Sequence, residues 1–482
     1  MNQYSPTAPM GQWSFTGQFT QNPSRATGTG SGGADLLLGL DASARLDIEY
    51  PAGLRRWEQS FFANDDIRVT NKLTFNLGLR YELTTPWTEM HNRLGSLVPR
   101  FGNVFQVGTP QLPGDTVTAT NYRDFAPRVG IAYQLTPKTV IRTGYGLFYS
   151  FPGVASSQLP TKTPPVAGNY SVTNNTTAAN LNNVVPISAG FPTARPTTFN
   201  PTGSASKFYP YNDPDASVHQ WNFNVQQELG AQTVMTVAYV GSRGNHLYVF
   251  PNFNQPVPGP GAANLRRPYQ NLSDGSGFER AADSYFHSLQ ITGEKRLSQG
   301  LSVLANYTWS HSIDTSSLDT GGGPQDSLNL RADRGNSEFD IRHRAVLSWT
   351  YQIPYGRGQK FGNSSRGVKE YVLGNWQINS IDTLMTGSPF TLTSAQNTLG
   401  AGAGTQRANR IADGTLPSDQ RSVQGWFDTS AFTTPGLYQY GNAARNALYG
   451  PGTRQIDFSV FNSFRSGGKG RSSSSARSFS IC

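Results

Sequence analysis

Leu73-Thr74-Phe75-Asn76-Leu77-Gly78-Leu79-Arg80-Tyr81 decides the fold of this chain. Every odd position is apolar and every even one is polar or glycine. A β-strand repeats its side-chain direction every second residue, so the five large residues share one face. The pattern recurs on both sides of this stretch. Trp221, Phe223 and Val225 alternate with Asn222, Asn224 and Gln226, and Met235, Val237 and Tyr239 follow less cleanly. Leu301, Val303, Ala305, Tyr307 and Trp309 oppose Ser302, Asn306 and Thr308. Ala345, Leu347, Trp349 and Tyr351 oppose Ser348, Thr350 and Gln352. Helical i, i+3, i+4 spacing is not evident over any comparable length.

The alternation predicts about eleven long strands, near 57–69, 72–83, 125–135, 138–150, 217–229, 232–245, 284–297, 300–312, 339–353, 371–392 and 454–464. At about 3.3 Å per residue most exceed about 30 Å. Soluble sheets usually use strands of about 5–6 residues. Short turns fall at Thr70-Asn71, Pro137, Gly230-Ala231 and Ser298-Gln299. Between these hairpins lie long polar segments, 84–124, 151–216, 246–283, 313–338 and 393–453, with a medium turn at 354–370. Short and long connections that alternate are the habit of outer-membrane barrels. In a compact soluble domain, loops this long argue against the assignment.

Composition agrees. The chain has 482 residues, and only 14% of them are charged, against roughly 25% for an ordinary soluble domain. Its polar surface is built from Asn, Gln, Ser, Thr and Gly. That excludes charge-driven disorder and a charge-rich coiled coil. The single Cys excludes a disulfide framework and a cysteine zinc site. The 51 Gly and 31 Pro follow no collagen period and fit a turn-rich β protein. The net charge of +9 is spread over the whole length. Its densest run, Arg342-His343-Arg344, is too short for a nucleic-acid footprint, so no nucleic-acid partner is expected.

Met1 to Gln12 has neither a basic n-region nor an apolar h-region, so it does not read as a signal peptide. Leu36-Leu37-Leu38-Gly39-Leu40 falls far short of the ~20 residues of a spanning helix. A barrel strand needs only ~9–11 residues with one apolar face.

No catalytic constellation is read. H-E-x-x-H, G-x-x-x-x-G-K-[ST] and G-x-S-x-G are absent. Gly28-Thr29-Gly30-Ser31-Gly32-Gly33 reads as a flexible loop. Asp340 and His343 lack a third metal ligand nearby, so a strand-end hydrogen bond or ion pair is expected of them. Asp65-Asp66 beside Arg68 reads as structural. The expectation is a non-enzyme with no cofactor and no metal.

At this point the chain resembles a known family, the TonB-dependent outer-membrane receptors of the Oar-like type. Six sets of motifs carry the resemblance in order. They are Ala34-Asp35-Leu36-Leu37-Leu38-Gly39; Asn64 to Thr74 continuing to Gly78-Leu79-Arg80-Tyr81-Glu82; and Phe125-Ala126-Pro127-Arg128-Val129-Gly130. Next come Phe339-Asp340-Ile341-Arg342-His343-Arg344 with Pro354-Tyr355-Gly356-Arg357-Gly358, and Gly374-Asn375-Trp376-Gln377 with Thr386-Gly387-Ser388-Pro389-Phe390. The last is Trp426-Phe427-Asp428, Ala431-Phe432 and Gly450-Pro451-Gly452. Together they cover roughly residues 11–464. Asp66, Arg80 and Glu82 lie on two arms of one hairpin, where charged cross-strand pairs would face a wet lumen. Asp340, Arg342, His343, Trp376, Pro389 and Phe390 complete the motif residues.

The resemblance implies an all-β fold, an antiparallel transmembrane β-barrel of the TonB-dependent receptor type, in the cell outer membrane. Here it is expected as an incomplete, open barrel of about 11–13 long strands, against the roughly 22 of the whole transporter. Residues 1–56 would supply the first barrel strand or strands and a loop, and 57–392 the strands with short periplasmic turns and long external loops. Residues 393–453 would form a long external loop, 454–464 the last recognisable strand, and 465–482 a low-complexity tail. Tyr81, Tyr149, Trp309 and Tyr351 would be membrane-interface aromatics, whose amphipathic rings suit the headgroup level. The family implies import of an unidentified ligand, outer-membrane lipid around the wall, and a periplasmic energy-coupling protein. The plug and the motif that protein touches are not read in this chain. A frameshift near Arg465 is the expectation for the serine-rich end that carries Cys482. An open barrel fragment is expected to be transport-incompetent and to aggregate when expressed alone.

The alternative is a secreted soluble all-β module that binds carbohydrate. The two readings differ in where the apolar faces point. A barrel turns Phe75, Leu77, Leu79 and the Leu301–Trp309 stripe outward, and a soluble module buries them.

Overall fold

The computed structural model describes residues 2–3, 8–22, 29–151, 159–174, 184–191, 199–230, 232–317, 323–401, 405–464 and 473–481. Twelve antiparallel strands in chain order form the path of one sheet, and the short strand Gly335–Asn336 adds a thirteenth beside Ile313 and Asp314. The twelve are β1 (Glu58–Arg68), β2 (Leu73–Thr84), β3 (Phe125–Thr136), β4 (Thr139–Ser150), β5 (Ala216–Gly230) and β6 (Thr233–Val249). There follow β7 (Glu279–Ser298), β8 (Leu301–Asp314), β9 (His343–Gln352), β10 (Trp376–Met385), β11 (Thr453–Phe464) and β12 (Ser473–Ile481). Each strand pairs with its chain neighbours, and β1 does not pair with β12. The wall is an open barrel. No described helix is long and apolar enough to cross a membrane.

Local chemistry makes the short turns. Thr70 Oγ1 accepts from the backbone N–H of Lys72 at 3.1 Å and of Leu73 at 3.0 Å, closing the first hairpin. The β7–β8 turn places Gln299 and Gly300 at φ 53° and 82°, and a Cβ on Gly300 would come 2.7 Å from Gln352 O. The turn residue Ala231 lies outside the described residues.

Register turns the sequence alternation into two continuous faces. One ladder row runs Ile67, Phe75, Ile131, Thr143, Phe223, Tyr239, Leu289, Trp309 and His343 across nine strands. The neighbouring row runs Asp66, Asn76, Gly130, Gly144 and Asn222. The apolar face is uncovered: Leu77 is 42% exposed, Leu79 48% and Trp309 54%. On the opposite face of the same wall Ala238, Ser288 and Ser312 are buried. A soluble sheet would bury the first set and wet the second. Gly78 sits where β1 comes close, since a Cβ there would lie 2.7 Å from Asn64 Oδ1.

The buried apolar clusters lie beyond the wall strands, at its long-loop end. One gathers Ala52, Leu54, Leu94, Val107, Val117, Tyr209 and Phe278, and a second gathers Leu97, Val104 and Leu272.

Four expectations need correction. Residues 1–56 supply no described strand to the wall. Gln12–Ser14 and Ser43–Ile48 instead join Gly168–Thr173 in a separate sheet, and Ala52–Arg55 pairs with Asn2–Gln3 and Thr88–Glu89. These strands are too short to show a period. The glycine run ends in a helix, α1 (Gly32–Leu38), because Ser31 Oγ caps the N–H of Ala34 at 3.4 Å and Gly39 closes it at φ 70°. The strand expected over 371–392 is shorter. A helix, α2 (Val368–Leu373), precedes it, Asn375 turns at φ 56°, and Pro389–Phe390 pairs elsewhere. The 465–482 tail contains β12, which runs beside β11 from Phe464↔Ser473 to Ile456↔Ile481. A ladder needs only backbone donors and acceptors, so a serine run without alternation still pairs. Arg465 and Cys482 lie outside the described residues.

Candidate functional site

The long connections all leave one end of the wall, and this loop end is the candidate site. Several of its most buried charged groups are neutralised between loops. Arg407, from the β10–β11 loop, sends Nε to Ala443 O at 2.8 Å and Nη2 to Ala332 O at 2.9 Å, and its Nη1 meets Asp333 of the β8–β9 loop. Arg445 reaches the end of β8, donating Nη2 to Asp314 O at 2.7 Å and to the Asp314 carboxylate. Gln255 of the β6–β7 loop donates to Asp326 at 2.8 Å and accepts from Ser327 N at 2.8 Å. Its amide also reaches the Tyr440 hydroxyl at 2.7 Å. Burial, and Asp326 beside it, push that phenol up to about 12.

Between these loops opens a polar cleft of about 420 Å³, lined among others by Ser206, Lys207, Asn252, Asp274, Gln325 and Tyr440. Burial holds the Lys207 ammonium below its ordinary range. A smaller cavity of about 70 Å³ lies nearer the wall, between Trp87, Val117, Tyr209, Phe278 and Arg280. Beside it Arg280 Nη1 meets Asp215 at 2.6 Å, and Arg280 Nε lies 3.8 Å from Asp213. Burial raises Asp213 to about 6. Burial first, and then the neighbouring Asp215 carboxylate, raise Asp124 to about 8.

The motif residues occupy three places. Arg80 pairs with Glu82 two residues along the same strand, and Asp66 accepts from the Asn76 amide across the hairpin. The expected cross-strand charge pair is therefore an in-strand one. Asp340 is buried at the loop end. It accepts from Ser312 N at 2.7 Å and from the Tyr449 hydroxyl at 2.7 Å, and it meets Arg342 Nε at 3.0 Å. Burial, and then Asp340, push the Tyr449 phenol up to about 12. Pro389 and Phe390 pair with Tyr449 and Leu448, bringing the two ends of the β10–β11 loop together. Trp376 sits at the opposite end of the wall, with Nε1 on Val372 O at 2.7 Å. His343 is not joined to Asp340; it turns to the uncovered face. Among the described residues no group of three His, Cys, Asp or Glu could hold a metal.

On the uncovered face the aromatics form an ordered band. Tyr145 shares a hydrogen bond with His219 at 2.8 Å, Tyr239 with His287 at 2.7 Å, and Tyr307 with His343 at 2.8 Å. Tyr145 pairs through Trp221 to Gly241, and Tyr239 lies two residues from Gly241 towards the short turn. Tyr239 pairs through Leu289 to Trp309, and Tyr307 lies two residues from Trp309 in the same sense. That constant step is the stagger a tilted wall needs to keep residues at one height. Trp309 lies beside this band. Tyr81 contacts Phe125 at 4.7 Å, near the long-loop end. Tyr149 pairs with Ser217 near the same end, and Tyr351 pairs with Leu301 and Ile378 near the short-turn end. Sequence reading missed the Tyr–His pairs. Their signal was a histidine on each of three descending strands, which gains meaning only with the register.

A family model described as "Outer membrane beta barrel domain" matches residues 1–475. The chain belongs to this outer membrane β-barrel family. Its place is the outer membrane, and the uncovered apolar face of the barrel domain is the face that meets lipid. No curated protein matches the chain. Among solved structures, the ferripyoverdine receptor of the outer membrane of Pseudomonas aeruginosa is 9% identical, with a TM-score of 0.40, covering 86% of this chain and 33% of that one. The outer membrane transporter YddB from Escherichia coli is 8% identical with a TM-score of 0.39, covering 87% and 47%. The copper transporter OprC is 10% identical with a TM-score of 0.40, covering 88% and 40%. The chain thus spans between a third and a half of these proteins.

Proposed function

We propose that this chain forms wall strands and external loops of a TonB-dependent receptor of the Oar-like type, which imports a ligand across the outer membrane. The observation that carries the reading is the joining of the long loops into one layer above a wall with an apolar outer and a polar inner face. Loops tied by Arg407, Arg445 and Gln255 offer a fixed polar surface to an arriving ligand, and the cleft beside Lys207 and Tyr440 is where it makes contact. Asp340, Arg342 and Tyr449 hold the late loop in place over the lumen. Energy comes from a periplasmic partner of the whole receptor. The role is transport rather than catalysis.

Orientation is tested with single cysteines in a Cys482→Ser background. An impermeant maleimide should label Ser422→Cys on intact cells, and Gln299→Cys only after the outer membrane is opened. Equal labelling of both on intact cells would refute the arrangement. Energy coupling is tested by loading the whole receptor's cells with ligand-containing medium. Uptake that a protonophore leaves unchanged would refute the TonB-dependent part alone.

A further inference from the structure

The short-turn end carries one connection longer than a hairpin needs. Gln352 N donates to Gly300 O at 2.7 Å, so the 353–375 segment leaves the wall beside the β7–β8 turn. Its own bonds fix its shape. Gly356 N donates to Phe361 O and Phe361 N to Pro354 O, both at 2.9 Å, and Asn375 N donates to Tyr355 O at 3.0 Å. Gly358 N donates to Asn363 Oδ1 at 2.8 Å. Arg357, Lys360, Arg366 and Lys369 all stand exposed on this knob. Glu370 is the only acid in the segment. Its carboxylate is engaged by Arg357 N at 2.9 Å and by Asn375 Nδ2 at 2.8 Å. Among the described residues none of the four cations has a carboxylate within ion-pair distance. The buried arginines of the long-loop end, Arg280, Arg407 and Arg445, are by contrast answered by aspartates.

Four unanswered cations on a fixed surface attract a polyanion. Apolar groups stand among them: Phe361 is 55% exposed, Val368 78% and Tyr371 57%. A helix that lies in a bilayer surface keeps its apolar residues on one face and its cations on the other. This segment does not separate them. Lys369 and Leu373, one turn apart on α2, share a side, and Lys360 Nζ lies 5.4 Å from the centroid of the Phe361 ring. Cations interleaved with rings suit a polymer that alternates carboxylates with the apolar faces of sugars. With the orientation proposed above, the short-turn end faces the periplasm, where the glycan–peptide mesh of the cell wall is such a polymer.

We propose that the 353–375 segment docks the receptor onto the carboxylate-bearing glycan–peptide mesh of the cell wall. Arg357, Lys360, Arg366 and Lys369 meet its peptide carboxylates, and Phe361 and Tyr371 lie against its sugar rings. This inference rests on the orientation of the wall given above, and the surface is separate from the ligand cleft at the other end.

The whole receptor in mild detergent is sedimented with purified cell-wall sacculi. Wild type is expected to sediment with them, and less so at high salt. R357Q/K360Q/R366Q/K369Q should bind about fifteenfold more weakly, roughly twofold for each of four exposed pairs. Heat-modifiable migration reports whether this variant folds. Sacculi whose carboxylates are capped as amides test the same contact with the wild-type receptor alone, and they should bind it as weakly. Equal binding of capped and uncapped sacculi, or a folded quadruple variant that binds as wild type, would overturn the proposal. So would phosphatidylglycerol in the same micelles that strips the receptor from sacculi at equal anionic charge, since that outcome marks a surface for lipid. Lys360→Cys in the Cys482→Ser background separates this failure from a wrong orientation. Its labelling on intact cells by an impermeant maleimide would overturn both readings, whereas labelling only after the outer membrane is opened leaves the orientation standing whatever the sacculi show.

Discussion

The ion pair between Arg407 and Asp333 should control how tightly the β10–β11 loop is held. Both side chains are almost wholly buried, at 6% and 4% exposure. Asp333 also accepts from Gln325 N at 2.9 Å. In Arg407→Met the bulk remains and the cation goes, so Asp333 is left charged and buried. Breaking a buried pair in this way costs about 3–5 kcal/mol. At 1.4 kcal/mol per tenfold, the loop should open roughly two to three and a half orders of magnitude more often. Hydrogen exchange of the whole receptor in detergent reads this at the amides of Ala408 and Ala443, which are bonded to Leu392 O and Ala408 O. The double variant R407M/D333N should recover most of the loss, because it removes the stranded charge while Asn keeps an acceptor for Gln325. Unchanged exchange in R407M, or a double variant no better than the single one, would refute the claim that this pair holds the loops together.

Three further outcomes follow from the geometry. Leu77→Arg, on the lipid face, should destabilise the wall in bilayers by up to about 2–4 kcal/mol if it sits near the midplane, while Asn76→Arg on the other face should cost much less; the readout is urea unfolding from vesicles, and equal costs would reverse the assignment of faces. Asp124 has a folded pKa of about 8 against an ordinary 3.8, so its folded form binds the proton more tightly; the stability it contributes is full below 3.8 and is lost as pH rises through about 8. Cleavage by added protease in the 84–124 loop should therefore rise over that window and rise less in Asp124→Asn, where Asp213, raised to about 6, still titrates; a slope equal to wild type in this variant would assign it to another group. Tyr449→Phe removes one donor from buried Asp340 and should cost about 1–3 kcal/mol locally, seen as faster exchange at Ser312 N, which donates to the same carboxylate.

The wall was legible because its period of two is written in large side chains. Leu73 to Tyr81 named both the strand and its apolar face, and Thr70 marked the turn. What lay outside that period was not legible. The serine run of β12 shows no alternation, so only its backbone pairing reveals a strand. Tyr371 to Leu373 read as the start of a long strand, whereas they close a helix and the strand begins at Trp376. At the site, Asp340 and His343 read together as strand-end groups, but Asp340 meets Arg342 and His343 turns to Tyr307. The partner shared by Asp340 and Arg342, Tyr449, lies more than a hundred residues away, and no local pattern points to it. The same holds for Arg445 with Asp314. Such contacts depend on how far each loop folds back over the wall, which composition does not encode. His219, His287 and His343 stand far apart in sequence, and only the ladder brings each beside a tyrosine.

The late loop's arginines place a constraint on how this loop layer changes over time. Arg407 and Arg445 are answered by carboxylates that other segments supply. A loop of 386–452 grafted into a relative without Asp314 and Asp333 would strand two guanidiniums in a dry layer. Drift in one loop therefore has to be matched in its neighbour before it is tolerated. Loop sets should therefore be replaced together, and chimeras that exchange the β8–β9 and β10–β11 loops together should survive where single exchanges fail.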